Sequence, residues 1–196
     1  MERHFRTLQG AGVANIAVVV EDPLVELEVA RAKPRGVELE TLAAPTGLGE
    51  WLGRVSEAQA QVLVIDMSYL VDPVLVRTAL SATETTILVD TDPPGPARDG
   101  AHRLIEFSDH EGPSTDPGLQ AYFCGLVYLA DDGTLAAQLA GVGSMHELVA
   151  YLLQRPWRVR KLDVAGLPTF QSDIRRKRRP VWMHCYNRDQ MDMAKR

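Results

Sequence analysis

Short apolar runs rich in β-branched residues recur along the chain, and they limit the possible folds more than any other feature. Such runs occupy 15–20, 62–65 and 85–89, and runs of about four to eight residues of this kind are typical of buried strands. Segments with helical periodicity lie between them. Alternating strands and helices favour parallel pairing with right-handed crossovers. We therefore predict an α/β fold with three layers and a doubly wound, mostly parallel sheet of about five strands.

Weaker patterns complete this prediction. Residues 37–42 alternate apolar and polar side chains and indicate a second strand, and 103–107 indicates a fifth. The apolar segment 119–130 is predicted to be helical, with a strand at 126–129 as the alternative. Asp72 before Pro73, and Ser144 before Glu147, are typical helix starts.

Charge divides the chain into an acidic body and a basic end. Residues 1–154 hold 9 basic and 22 acidic residues, a net charge of −13, whereas 155–196 hold 12 basic and four acidic residues, a net charge of +8. Periodicity also weakens after Pro156. We predict a domain over 1–154 and a basic, helical C-terminal extension over 155–196, since asymmetry of this kind is typical of interaction tails.

The extension contains a basic run next to an aromatic residue, which together predict binding to an anionic partner. The residues are Arg175, Arg176, Lys177, Arg178, Arg179 and Trp182. Basic and aromatic side chains together suit phosphate contacts and base stacking in nucleic acid. They equally suit an acidic membrane surface or the acidic body of a second copy in a homo-oligomer. A solvated tail without a partner is the fourth alternative.

Cysteine content and hydropathy indicate the cellular compartment of the protein. The two cysteines, Cys124 and Cys185, form no CxxC motif, which is typical of a reducing compartment. No apolar run reaches the roughly 18 residues of a membrane span, and the first ten residues do not resemble a secretory signal. We predict a cytoplasmic protein with no transmembrane segment.

Acidic residues follow three of the predicted strands. They are Glu21 and Asp22, then Asp66, then Asp90 and Asp92. Because the carboxyl ends of parallel strands share one edge of a sheet, these side chains are expected to lie close together. Clustered carboxylates need a cation or a raised pKa, and Mg²⁺ prefers oxygen ligands. The sequence therefore predicts a magnesium site, with helix capping and turn formation as the alternative for each acid.

The first and third predicted strands carry a family resemblance. Residues 17–23 (AVVVEDP) and 62–68 (VLVIDMS) resemble the first strand with its acidic pair, and the third strand with its phosphoacceptor, in response-regulator receiver domains. The resemblance covers roughly residues 13–130 and implies that Glu21 and Asp22 hold Mg²⁺ and that Asp66 accepts phosphate. Residues 105–110 lack the lysine that receivers place after strand five, so it implies a degenerate, non-catalytic receiver-like module. Such a module would bind a partner protein or a second copy of itself.

A second, weaker resemblance gives the alternative function. Residues 87–95 (ILVDTDPPG) resemble the strand end of Toprim nucleases and primases, with Glu21 completing the metal site. This implies Mg²⁺-dependent chemistry on a phosphodiester or phosphate, with Asp66 and Asp90 as candidate catalytic residues. A sensor domain that binds a nucleotide or another small ligand at the strand ends is the third possibility. The sequence contains no GxxxxGK[ST] loop, which excludes nucleotide hydrolysis by that mechanism.

Overall fold

The computed structural model describes residues 1–20, 23–44, 47–57, 61–93, 103–104, 121–130, 138–139, 141–154, 159–167 and 182–185. The helices are α1 (Glu2–Gly10), α2 (Pro23–Ala32), α3 (Gly47–Glu57), α4 (Pro73–Leu80) and α5 (Met145–Leu153). The first strands are β1 (Asn15–Val20), β2 (Glu38–Ala43), β3 (Val62–Ile65), β4 (Tyr69–Val71) and β5 (Thr86–Asp90). They are followed by β6 (Arg103–Leu104), β7 (Ala121–Leu129), β8 (Arg160–Asp163) and β9 (Trp182–His184).

The N-terminal part is a parallel pair of strands covered by helices. Strands β1 and β2 pair in parallel from Asn15 opposite Glu38 to Val20 opposite Ala43. Ile16 and Val18 point to one face of β1, where they form a small core with Phe5 of α1 and Val29 of α2. A strand–helix–strand order with a parallel pair is what the apolar pattern predicted for this part of the chain.

Helix α1 was not predicted, and a buried histidine attaches it to the rest of the fold. The Nε2 atom of His4 lies 2.6 Å from the backbone oxygen of Tyr69. Because a carbonyl oxygen can only accept, Nε2 carries a hydrogen and donates it to Tyr69. Its Nδ1 atom is buried and has no hydrogen-bond partner among the described residues. Burial lowers the pKa of His4, and this effect outweighs the hydrogen bond to Tyr69, which raises it.

We expect the stability of the protein to fall as the pH drops below about 6.5, the ordinary pKa of histidine. The unfolded chain binds a proton at His4 in this range while the folded chain resists it, so the contribution is complete above pH 6.5 and is lost on acidification. One titrating group can contribute a slope of at most about 1.4 kcal/mol per pH unit, which is the upper limit for His4. Urea unfolding between pH 5 and 7.5 measures how the free energy of unfolding depends on pH.

The matched variant is His4→Gln, whose amide can still donate to the Tyr69 oxygen but does not titrate. It should show a shallower dependence on pH than the natural protein over the same range. Identical slopes for the two proteins would assign the acid sensitivity to other groups.

The main sheet is mixed. Its strand order is β3-β7-β5-β8, with β6 also paired to β7. Strand β7 runs antiparallel to β3, β5 and β6, whereas β8 runs parallel to β5. The α/β class is therefore confirmed, but the mostly parallel, receiver-like sheet is not what the structure shows.

The difference arises at β7, where a helix was the first prediction and a strand over 126–129 the alternative. Every residue of Ala121–Leu129 is buried except the half-buried Tyr122. A strand that is buried on both faces has no alternation of apolar and polar residues, so periodicity cannot distinguish it from a buried helix. The segment is a nine-residue strand in the middle of the sheet, and it reverses the direction of pairing there.

Gly125 bends this central strand. The pairing of β5 with β7 shifts between Ile87 and Val89, and Gly125 has a φ of 80°. A β-carbon at this position would lie 2.9 Å from Cδ2 of Tyr69, and still closer to its Cβ and Cγ. Glycine is therefore required twice, for the left-handed backbone and for the close approach of the Tyr69 ring.

The C-terminal segment contributes strands to the core. Strand β8 pairs with β5 from Arg160 opposite Thr86 to Asp163 opposite Val89, and β9 pairs antiparallel with β4. The described residues after 155 thus form two strands and a short 3₁₀ turn (Val164–Gly166), in place of the predicted helical extension. The proposed boundary near residue 154 stays a prediction, and the rest of the extension lies outside the described residues.

Both predicted helix starts are confirmed. The Asp72 carboxylate accepts a hydrogen bond of 2.9 Å from the Val74 amide at the start of α4, and the Ser144 hydroxyl accepts one from the Glu147 amide at the start of α5. In the part of the chain that the structure describes, no helix is long and apolar enough to cross a bilayer.

Candidate functional site

Three strands that run in the same direction end at one edge of the main sheet. Strands β3, β5 and β8 all run antiparallel to β7 or parallel to each other. Asp66 directly follows β3, whereas Asp90 and Asp163 are the last residues of β5 and β8. Ligands of open α/β sheets bind outside the carboxyl ends of the strands. This edge, which we call the acidic edge, is therefore the candidate site.

Asp90 is fully buried at this edge. Its side chain is 0% exposed, and its Oδ2 atom accepts a hydrogen bond of 2.7 Å from the indole Nε1 of Trp182. The Oδ1 atom accepts one of 3.0 Å from the Asp92 amide. A carboxylate whose two oxygens both accept bonds from the protein has little capacity left for a ligand, so Asp90 serves the structure of the edge.

Trp182 was predicted to bind an anionic partner from an exposed tail. The structure places it in the core at 2% exposure, with its ring 6.2 Å from that of Tyr69 and its indole bonded to Asp90. In this position the ring is covered and cannot stack on a base. The five basic residues of the run, Arg175, Arg176, Lys177, Arg178 and Arg179, lie outside the described residues.

Asp66 adopts a turn that joins β3 to β4. Its Oδ1 atom accepts hydrogen bonds from the amide of Ser68, at 2.9 Å, and from the hydroxyl of Ser68, at 2.6 Å. The Asp66 amide donates to the backbone oxygen of Gly125. Asp66 is half-buried.

Asp66 and Asp90 lie on opposite sides of β7. Asp66 is opposite Gly125, whereas Asp90 is opposite Tyr122. Two strand spacings of about 4.8 Å separate them across the sheet, so their backbones are on the order of 10 Å apart. Strand β7 therefore lies between the two aspartates in the sheet.

Asp163 belongs to the edge but was not predicted. Its Oδ2 atom accepts a hydrogen bond of 2.6 Å from the Thr91 hydroxyl, and its Oδ1 atom accepts one of 3.2 Å from the Thr91 amide. It also accepts from the Ala165 amide, which begins the 3₁₀ turn. The same rule that selected Asp66 and Asp90 would have selected Asp163 if β8 had been recognised as a strand.

The predicted magnesium site stays a prediction. Glu21 and Asp22 lie outside the described residues, and among the residues described no group of three His, Cys, Asp or Glu side chains could hold a metal ion. Of the three acids that are described, Asp90 is buried and bonded on both oxygens, Asp66 is half-buried, and Asp92 is exposed. Asp66 and Asp92 are therefore the carboxylates best placed to reach a ligand.

Cys185 lies beside the turn of Asp66, where its amide donates to the backbone oxygen of Ser68. Burial raises the pKa of its thiol above the ordinary value. The thiol is therefore protonated at neutral pH and is a poor nucleophile.

Comparison with known proteins finds similar solved structures but no similar sequence. No protein-family model and no curated protein sequence matches the chain. Among solved structures, UDP-glucose pyrophosphorylase from Acinetobacter baumannii superposes with a TM-score of 0.55 at 13% identity, over 98% of this chain and 79% of that protein. HddC from Yersinia pseudotuberculosis superposes with a TM-score of 0.56 at 12% identity, over 98% of this chain and 82% of that protein.

A putative glucose-1-phosphate thymidylyltransferase from Bacillus anthracis gives a TM-score of 0.55 at 12% identity, over 96% of this chain and 77% of that protein. At these identities the comparisons establish the fold. The chain has the fold of these nucleotidyltransferases.

This similarity overturns the predicted resemblance to receiver domains, and the weaker one to Toprim proteins with it. The prediction of a non-catalytic, receiver-like regulatory module is wrong for the same reason. The physical cause is that the motifs of residues 17–23 and 62–68 are short strands followed by acids, which any α/β sheet with ligands at its strand ends can contain.

Proposed function

We propose that the protein is a nucleotidyltransferase-type domain that binds a nucleoside triphosphate at the acidic edge and transfers its nucleotidyl group to a sugar phosphate. The observation that supports this most directly is structural similarity over nearly the whole chain to UDP-glucose pyrophosphorylase and a glucose-1-phosphate thymidylyltransferase. One of these similar structures has UTP bound.

The reaction would form a bond between a phosphate oxygen of the sugar phosphate and the α-phosphorus of the nucleotide. The bond from that phosphorus to the bridging oxygen breaks, and pyrophosphate leaves with the electron pair. Enzymes catalyse such transfers mainly by positioning the reactants and neutralising the charge that develops.

Charge at the edge indicates how a nucleotide would bind. Residues 1–154 carry a net charge of −13, which opposes the approach of an uncompensated triphosphate. Mg²⁺ is commonly held by one or two carboxylates together with substrate phosphates, and this mode fits Asp66 and Asp92 better than a site made by protein alone. Asp66 and Asp92 would help to hold the ion, and the ion would neutralise phosphate charge.

We expect one of the four nucleoside triphosphates, with Mg²⁺, to raise the melting temperature. A ligand at 100 times its dissociation constant stabilises the folded state by about 2.7 kcal/mol. With glucose 1-phosphate present, the same nucleotide should release pyrophosphate. Asp66→Asn and Asp92→Asn should each lower the nucleotide affinity obtained from the melting shift, and the rate of pyrophosphate release, at least tenfold. Glu50→Gln, at an exposed acid on α3, should change neither.

Two outcomes of this experiment would contradict the proposal. Binding without pyrophosphate release from any sugar phosphate tested would refute transfer and favour a nucleotide-binding sensor. Absence of binding by all four nucleotides would refute the proposal altogether.

The basic run remains a proposal for a separate role. We propose that Arg175, Arg176, Lys177, Arg178 and Arg179 bind an anionic partner, because five adjacent cations contrast with the acidic body. Replacing these five residues by glutamine, which keeps Trp182 in place, separates that role from the fold. Self-association and a cytoplasmic location likewise stay predictions.

A further inference from the structure

Two hollows lined by basic side chains flank helix α1. The first has a volume of about 510 Å³ and lies between α1 and α4, and its basic residues are Arg3, Arg6 and Arg77. The second has a volume of about 840 Å³ and lies between α1 and the C-terminal end of α2, and its basic residues are Arg6, Arg31, Lys33 and Arg35. Glu2 and Arg6 line both hollows and form an ion pair on the ridge between them. We call the two hollows together the α1 basic surface.

The α1 basic surface concentrates positive charge on an acidic body. It contains six of the nine basic residues of 1–154 but only two of the 22 acids, Glu2 and Glu28. Its net charge is therefore +4, whereas the remaining charged residues of 1–154 carry −17. A local field of opposite sign to the rest of the body attracts anions to this surface specifically.

Four of the six cations are available to a ligand. Arg31, Lys33, Arg35 and Arg77 are all exposed, and none of the ion pairs between described residues includes them. Guanidinium groups present paired N–H donors that match the oxygens of phosphate. Several such groups around one hollow repel each other until an anion with more than one charge lies between them.

The shape and lining of the hollows select the class of ligand. Their volumes fall within the range of about 300–1,000 Å³ that is typical of small-molecule sites. Among the described residues that line them, the single aromatic one, Phe5, is 1% exposed and offers no face on which a nucleic-acid base could stack. The exposed large apolar residues of the described chain, Val19, Val25, Leu27 and Met67, do not line them, so nothing there would insert into a membrane.

We propose that the α1 basic surface is a second binding site, specific for small molecules that carry several phosphate groups. It shares no residue with the acidic edge, because its lining comes from α1, α2, α4 and the turn after α2. Recognition is by phosphate charge and geometry alone, so inorganic polyphosphate and the phosphate chain of a nucleotide satisfy it equally.

Isothermal titration of the full chain with inorganic tripolyphosphate, in EDTA, tests the proposal. EDTA removes any binding at the acidic edge that depends on a divalent cation. We expect saturable binding that weakens as salt is raised. Arg3→Gln with Arg77→Gln should weaken it at least tenfold, and so should Arg31→Gln with Lys33→Gln, whereas Arg54→Gln, an exposed arginine outside both hollows, should not change it.

The remaining outcomes either contradict the proposal or confirm it. If the two double variants bind tripolyphosphate as tightly as the Arg54→Gln control, the anion binds outside the α1 basic surface. Loss of binding in Asp66→Asn would lead to the same conclusion. Single-stranded RNA or anionic phosphatidylserine vesicles that displace tripolyphosphate at lower phosphate concentration would show a surface for a macromolecule or membrane. Adenosine triphosphate and tripolyphosphate of equal affinity would confirm that phosphate groups alone are recognised, and a strong preference for the nucleotide would contradict it.

Discussion

Gly125→Ala should destabilise the protein by about 2–5 kcal/mol, the sum of a left-handed backbone penalty of about 1–2 kcal/mol and an overpacking cost of about 1–3 kcal/mol. The new methyl group would overlap the Tyr69 ring, whose Cδ2 atom lies 2.9 Å from its position. Tyr69 is completely buried and stacks edge-on against Phe123, so it cannot move aside without disturbing the core. Since domains are stable by about 5–15 kcal/mol, this change removes a large part of the total.

The matched control is Gly12→Ala. Gly12 has a similar φ of 87°, but nothing lies within 4 Å of the position of a β-carbon there. It should therefore show the backbone penalty without the overlap, about 1–2 kcal/mol. Urea unfolding followed by circular dichroism measures both variants, and equal losses would mean that Tyr69 does not pack against the bend of β7.

Trp182→Phe should destabilise the protein by about 3 kcal/mol. The phenyl ring keeps most of the apolar contacts, but the Nε1–H that donates to Asp90 at 2.7 Å is lost. A buried acceptor left without its partner costs about 1–3 kcal/mol, and more when it is charged. The smaller ring adds a cavity among Tyr69, Asp90 and their neighbours, which increases the loss.

Trp51→Phe is the control for the change of ring size. Trp51 packs against the core from α3 but is only half-buried, and its indole has no hydrogen bond to another described residue, so its loss should stay near 1 kcal/mol. A double-mutant cycle of Trp182→Phe with Asp90→Ala should give a coupling of about 1–3 kcal/mol. A coupling near zero would show that the indole and the carboxylate do not interact.

The same contact affects how the basic run can be studied. A truncation that begins before Trp182 removes β9 together with the indole that satisfies Asp90. Loss of binding in such a truncation would therefore report loss of the fold as much as loss of the cations. Substitution of the five basic residues avoids this ambiguity.

Local features of the sequence determined the early strands and the helix caps. The β-branched runs of 15–20, 62–65 and 86–90 are strands because their side chains suit a buried pleated surface, and Asp72 and Ser144 cap helices through atoms two or three residues away. These outcomes depend on neighbours in sequence. The α/β class follows from their order along the chain.

Contacts between distant residues decided the rest. Ala121–Leu129 is a strand because it pairs with β3 on one side and with β5 on the other. Its uniformly apolar sequence is compatible with a helix as well as a strand. Arg160–Asp163 pairs with β5 although its charged sequence indicates no strand. Trp182 is buried because Asp90, 92 positions away, accepts its N–H bond. Only the tertiary structure could show that β7 lies between the strands that end at Asp66 and Asp90, since strand order in a sheet is not encoded in local periodicity.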